Sequence, residues 1–150
     1  MFAHSITMIE GWAHYCEEMV VEQGYDGLEP DVSKAGQLIG ALVRNVRYIS
    51  AVKMHCQGMT VEDSKRLFME KAFLPEPNAE IESNRGTINP MYLNYTLGKL
   101  LIKKLRDDYT KEKGEEFSLK SFHDTLLSYG SAPITVMRKL LLNNPDLDIL

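Results

Sequence analysis

Glu10, His14 and Glu17 lie in the run Glu10-Gly-Trp-Ala-His-Tyr-Cys-Glu17, which continues as Glu18-Met-Val-Val-Glu-Gln-Gly24. On a helix that advances about 100° per residue, His14 and Glu17 fall within about 40° of Glu10, so two carboxylates and an imidazole share one stripe. Such a stripe suits metal ligation or proton transfer. Two further clusters have spacing worth chemistry. Tyr92, Tyr95 and Lys99 recur at three- and four-residue steps beside Gly98, whose bare backbone lets something approach; the alternative is that the rings pack in the core with their hydroxyls satisfied locally. Arg44, Arg47 and Lys53 line one polar face and lead to His55, a pattern that reads first as a helix surface with a partly buried histidine. His123 stands beside Asp124, but neighbours on a helix point about 100° apart, so the two are not a pair and a structural role is expected.

The words Glu-Gly-Trp-Ala-x-Tyr-x-Glu around Glu10 carry a resemblance as well as a geometry. The chain resembles the family known as domain of unknown function 885, which looks like the glutamate-type zinc peptidases (gluzincins, within the zincins). In such enzymes one helix carries His-Glu-x-x-His, two zinc ligands and the general base, and a later helix adds a glutamate as third ligand. The resemblance implies that Glu10 is that metal ligand and that His14 and Glu17 orient the groups around it. It implies that Tyr95 acts catalytically by stabilising an oxyanion, that Lys99 binds a substrate carboxylate, and that His55 and Arg47 face the substrate. The Tyr-x-x-Gly-Lys word and the later Phe-His-Asp and Tyr-Gly-Ser-x-Pro words extend the likeness from Glu10 to Pro133.

One departure weighs as much as the match. None of the four histidines, His4, His14, His55 and His123, has a histidine four residues away, so His-Glu-x-x-His does not occur in this sequence. The expectation is half of a zinc site: the C-terminal portion of a metallopeptidase-like protein that hydrolyses peptide or amide bonds, inactive alone. Zinc would be held only when a partner, an N-terminal counterpart carrying His-Glu-x-x-His, supplies the missing ligands. A second reading is a non-catalytic helical scaffold or homo-oligomerisation module. A third is a self-contained metal site of Glu10, His14 and His55.

Stepping of apolar residues places these groups on helices. Ile6, Ile9, Trp12, Ala13, Cys16, Met19 and Val20 predict a first helix from about Ser5 to Gln23, buried along most of its girth and closed by Gly24. Tyr25 to Pro30 reads as a loop. A long, mostly buried helix is predicted from Val32 to Gln57, ended by Gly58, with Gly36 and Gly40 offering another helix a close approach. Thr60-Val-Glu-Asp63 opens a third helix through a capping box, and a short helix is predicted between Pro75 and Gly86. Asn89-Pro90 reads as the start of the helix carrying Tyr95. Ser118 and Pro133 open the last two. With no strand pattern, the fold class is all-α: a bundle of six or seven helices in a single domain over residues 1–150, resembling the C-terminal helical part of a zincin-like metallopeptidase and reading as a fragment of a longer ancestral enzyme domain.

Composition narrows the function classes. The 150 residues are 44% hydrophobic and 25% charged, the range of a globular domain. A net charge of −4 excludes the clustered positive field of a nucleic-acid binder. Lys103, Lys104, Arg106, Lys111 and Lys113 are interleaved with acids and read as a solvated face. No apolar run reaches the length of a membrane span, and no basic leader precedes the first apolar residues. Cys16 and Cys56, both in apolar helical patterns, are expected to be buried free thiols in a reducing, cytoplasmic compartment.

Overall fold

The computed structural model describes residues 4–24, 29–143 and 145. Seven α-helices account for most of them: α1 (Ile6–Glu22), α2 (Pro30–Cys56), α3 (Val61–Lys71), α4 (Glu76–Ile88), α5 (Asn94–Lys113), α6 (Leu119–Ser128) and α7 (Ile134–Leu141), and no strand occurs among the described residues. The all-α bundle expected from the periodicity is therefore what forms. The loop expected at Tyr25 to Pro30 lies largely outside the described residues, of which Glu29 caps α2 and Pro30 is its first residue.

The helix limits follow from local chemistry. Ser5 accepts from the Met8 amide and caps α1. Thr60 and Asp63 exchange side-chain and backbone hydrogen bonds in a full capping box at α3, and Ser118 caps α6. Gly24, Gly58, Gly114 and Gly130 all take positive φ just past helix ends. The Asn89-Pro90 signal behaves differently. Pro90 opens a 3₁₀ turn, Pro90–Leu93, that Asn89 does not cap by its side chain, and α5 begins at Asn94. The Asn94 side chain bonds back to the Met91 carbonyl and across to Thr7, which holds the bend between turn and helix.

Two apolar clusters stabilise the bundle. The larger joins α1, α5, α6 and α7 through Met8, Tyr15, Ile102, Leu105, Tyr109, Phe122, Leu126, Ile134 and Met137, and the smaller joins α2, α3 and α4 through Val46, Phe68, Ala72 and Ala79. Between them α1 and α5 run side by side. Cross-links Thr7–Asn94, Glu18–Lys103 and Glu22–Arg106 have nearly constant sequence separations of 87, 85 and 84, so the two helices are parallel. Their backbones touch: a Cβ on Gly98 would sit 1.9 Å from the Thr7 carbonyl oxygen and 2.6 Å from the Gly11 Cα. The helix α2 returns antiparallel to α1, and Glu17 pairs with Arg44 between them.

Three expectations need correction. The buried stripe of α1 is Met8, Gly11, His14 and Tyr15, whereas Ile6 and Ile9 are about half exposed, because α5 packs on the glycine side of the helix. The first half of α2 is exposed at Val32, Leu38 and Ile39, and nothing lies within 4 Å of a Cβ placed on Gly36, while one on Gly40 meets only Arg44 of the same helix. The close approach is made at Gly11 and Gly98 instead. Finally, Cys56 is exposed on the last turn of α2, and Cys16 is half-buried; both thiols are free.

Candidate functional site

Glu10 on α1 and Tyr95 on α5 meet beside the Gly11–Gly98 contact, one residue before Gly11 and three before Gly98, so the crossing that brings the backbones together also brings these side chains together. Burial, then interaction with the Glu10 carboxylate, raises the Tyr95 phenol above its ordinary pKa, which keeps it protonated and able to donate. From α2, the Arg44 and Arg47 guanidinium groups lie over the Tyr95 ring, 5.6 and 6.0 Å from its centroid, and Arg47 lies 6.0 Å from that of Tyr92. Each arginine is fixed by a carboxylate. Arg47 forms a two-point bridge to Glu82 on α4, Nε–Oε2 2.8 Å and Nη2–Oε1 2.5 Å, and Arg44 reaches Glu17 at 2.5 Å.

His14 and Glu17 are thus connected to the site indirectly. His14, 1% exposed, holds its Nδ1 3.1 Å from Glu17, and Glu17 holds Arg44 over the ring of Tyr95. Burial pulls the His14 pKa down against the pull of Glu17, so the imidazole is neutral at pH 7, with the Nδ1 proton donated to the carboxylate. Sequence spacing placed the two acids Glu10 and Glu17 and the His14 imidazole on one stripe; packing turned Glu17 toward α2.

Lys99 and His55 go elsewhere. The buried Lys99 ammonium and that of Lys103 both bind the Glu18 carboxylate, away from the arginines that face Tyr95. Burial alone would raise the Glu18 pKa, but its hydrogen bonds from Lys103 and Lys99 outweigh that and bring it down to about 2. His55 donates from Nε2 to the Gly86 carbonyl at 2.9 Å, tying the end of α2 to α4. Eight residues separate it from Arg47 on one helix, about 12 Å along the axis, so the structure does not bring it to Tyr95. His123 accepts the Tyr15 hydroxyl at 2.8 Å and stacks edge-on with Trp12, the structural role expected of it.

Sequence reasoning placed Arg44 on the polar face of α2 without a partner and gave Glu18 and Glu82 no role. Their signal lies in complementary charges on different helices, which no spacing along one helix records. Among the described residues no three His, Cys, Asp or Glu side chains are placed to hold a metal ion, so Glu10, His14 and His55 do not form a site within one chain. The donor set therefore fits zinc only as one ligand of several.

The fold recurs beyond this chain. The family model described as "Bacterial protein of unknown function (DUF885)" matches residues 1–141. The chain belongs to the DUF885 family. Two solved structures are similar to this DUF885 chain throughout. One is described as a "putative lipoprotein of unknown function" from Shewanella oneidensis, with 35% identity, a TM-score of 0.85 and 93% of the chain covered. The other is a "putative lipoprotein" from Colwellia psychrerythraea, with 31% identity, a TM-score of 0.83 and 88% covered. The DUF885 chain spans only 26% and 23% of their respective lengths. No curated protein matches it. No described helix is long and apolar enough to cross a membrane.

Proposed function

We propose that this DUF885 chain forms one wall of a zincin-like hydrolase site for peptide or amide bonds, with Glu10 as a carboxylate ligand of zinc and the remaining ligands brought by a segment carrying His-Glu-x-x-His. The observation that carries the reading is the meeting of Glu10 with a protonated Tyr95 at the Gly11–Gly98 crossing, under two arginines whose own carboxylates fix them. Zinc, when bound, supplies an activated water and a polarised carbonyl. The chain's own residues do the rest of their work by position. Tyr95 donates a hydrogen bond to the developing oxyanion, Arg44 and Arg47 hold the phenol ring in place, and His14 acts through Glu17 on Arg44.

The test is zinc content and peptide hydrolysis with and without a counterpart bearing His-Glu-x-x-His. The chain alone is expected to retain no stoichiometric zinc after dialysis. The mixture is expected to retain one equivalent and to hydrolyse a peptide, both lost in Glu10→Ala, while Tyr95→Phe keeps the zinc and loses about a hundredfold in turnover. A mixture that neither holds zinc nor hydrolyses would overturn the proposal.

A second reading, a scaffold or self-associating module, is favoured by one feature: Ile6, Ile9, Val32, Leu38 and Ile39 are all exposed. In that case Glu10→Ala alters stability and nothing else. A cytoplasmic location remains the proposal from cysteine usage, and cell fractionation separates it from the envelope location that a lipoprotein would have.

A further inference from the structure

One helical turn along α1 and α5 from Glu10 and Tyr95, a groove of about 620 Å³ opens between α2 and α5, lined by His14, Glu18, Asn45, Thr96, Lys99 and Lys103 among others. Its walls are built rather than incidental: His14, Thr96 and Lys99 are each more than nine-tenths buried. Two ammonium groups, Lys99 and Lys103, share the one carboxylate of Glu18, so this cluster keeps one positive charge that nothing in it neutralises. Lys104, further along, is matched by Asp108, and Asp107 stands exposed at the outer end. Across the groove from α5 to α2 the Thr96 hydroxyl donates to the Asn45 side-chain Oδ1 at 3.2 Å, which leaves the Asn45 amide protons unspent. His14 spends its Nδ1 proton on Glu17, and its Nε2, an acceptor in that tautomer, has no partner among the described residues.

An excess cation, free amide donors and one isolated acceptor are complementary to a group that carries a negative charge beside an N–H. We propose that the groove is a subsite for the carboxyl end of a peptide, with the terminal carboxylate on Lys99, Lys103 and Asn45 and the adjoining backbone N–H donated to His14 Nε2. The inference rests on the hydrolase reading and names its substrate class. His14 and Glu18 lie four and eight residues beyond Glu10, about 6 to 12 Å along the helix, which an extended peptide spans in about two to four residues. The bond cleaved is therefore about two to four residues from the carboxyl end of a short peptide.

The test needs neither zinc nor hydrolysis. The whole chain, labelled with ¹⁵N, is titrated with N-acetyl-Ala-Ala and separately with its C-terminal amide while backbone and imidazole resonances are followed. The acid is expected to bind with millimolar affinity, shifting the His14 and Asn45 signals saturably, and the amide about tenfold more weakly. Lys99 is buried, so Lys99→Gln risks the fold, and the informative variants are Lys103→Gln and Asn45→Ala. Each is expected to weaken the acid about tenfold toward the affinity of the amide, while Lys120→Gln, on the distant surface of α6, changes nothing. Equal binding of acid and amide, no saturation below about 50 mM, or an unchanged affinity in both groove variants would overturn the subsite. If the acid binds as expected but the completed protein hydrolyses nothing, the hydrolase reading falls and the groove stands as a carboxylate site. If hydrolysis occurs without acid preference, the subsite falls alone.

Discussion

Tyr92 buries a hydroxyl that has no hydrogen-bond partner; the Ser50 hydroxyl lies near enough to weigh on its acidity but closes no bond with it and instead accepts from Ser64. Burial pushes its pKa up to about 12, so it stays a neutral phenol. Removing that hydroxyl costs no bond, and Tyr92→Phe is expected to be neutral or to stabilise by about 1 kcal/mol in urea denaturation. Gly86 is the matching constraint, since a Cβ there would lie 2.3 Å from the Tyr92 oxygen. Gly86→Ala is expected to destabilise by about 2 kcal/mol, and Tyr92→Phe to relieve about half of it in a double-mutant cycle. Glu18 sets an acid limit. Its carboxylate titrates at about 2 when folded against 4.5 ordinarily, so its contribution is fully present above pH 4.5 and is lost as pH falls toward 2. Glu18→Gln should flatten the stability curve across that window, read from urea midpoints at successive pH. Of the residues singled out in the sequence, Glu10 and Tyr95 come together. Lys99 does not join them, because a buried ammonium must find a carboxylate, and its carboxylate sits on another helix, one turn past His14.

Helix limits were legible from Ser5, Thr60, Ser118 and the closing glycines, because capping is local chemistry. Which stripe of α1 faces inward was not. Ile6 and Ile9 are more apolar than Gly11 and His14, yet they lie outside, because backbone contact with α5 requires the glycine and carries His14 in with it. Periodicity counts side-chain hydrophobicity and gives no weight to a missing side chain. The two kinds of glycine separate in one experiment. Gly98→Ala must displace Thr7 or the whole of α1 and is expected to cost about 3 kcal/mol, and in an assembled enzyme to part Tyr95 from Glu10. Gly36→Ala meets nothing and should stabilise by about 0.5–1 kcal/mol through helix propensity alone. Thermal unfolding of the two variants, moving in opposite directions, checks the assignment.

At the scale of the molecule, absence of a strand pattern and seven bounded helical runs sufficed for the all-α bundle, but not for its division into two cores bridged by α1, α2 and α5, which depends on contacts between distant segments. The apolar residues that these cores leave out, Ile9 and Ile39 among them, are expected to draw copies of the chain together. Sedimentation velocity of Ile9→Glu with Ile39→Glu should show fewer associated species at unchanged melting temperature, and equal association in variant and parent would count against it. The pairing of α1 with α5 also has a consequence in time. Thr7 is made 87 residues before its partner Asn94, which at about 5–20 residues per second leaves α1 without α5 for about 4–17 s of synthesis. Over that interval Met8 and Tyr15 have no core to enter, so α1 settles only once α5 has been made, and until then its apolar stripe is open to a ribosome-bound chaperone.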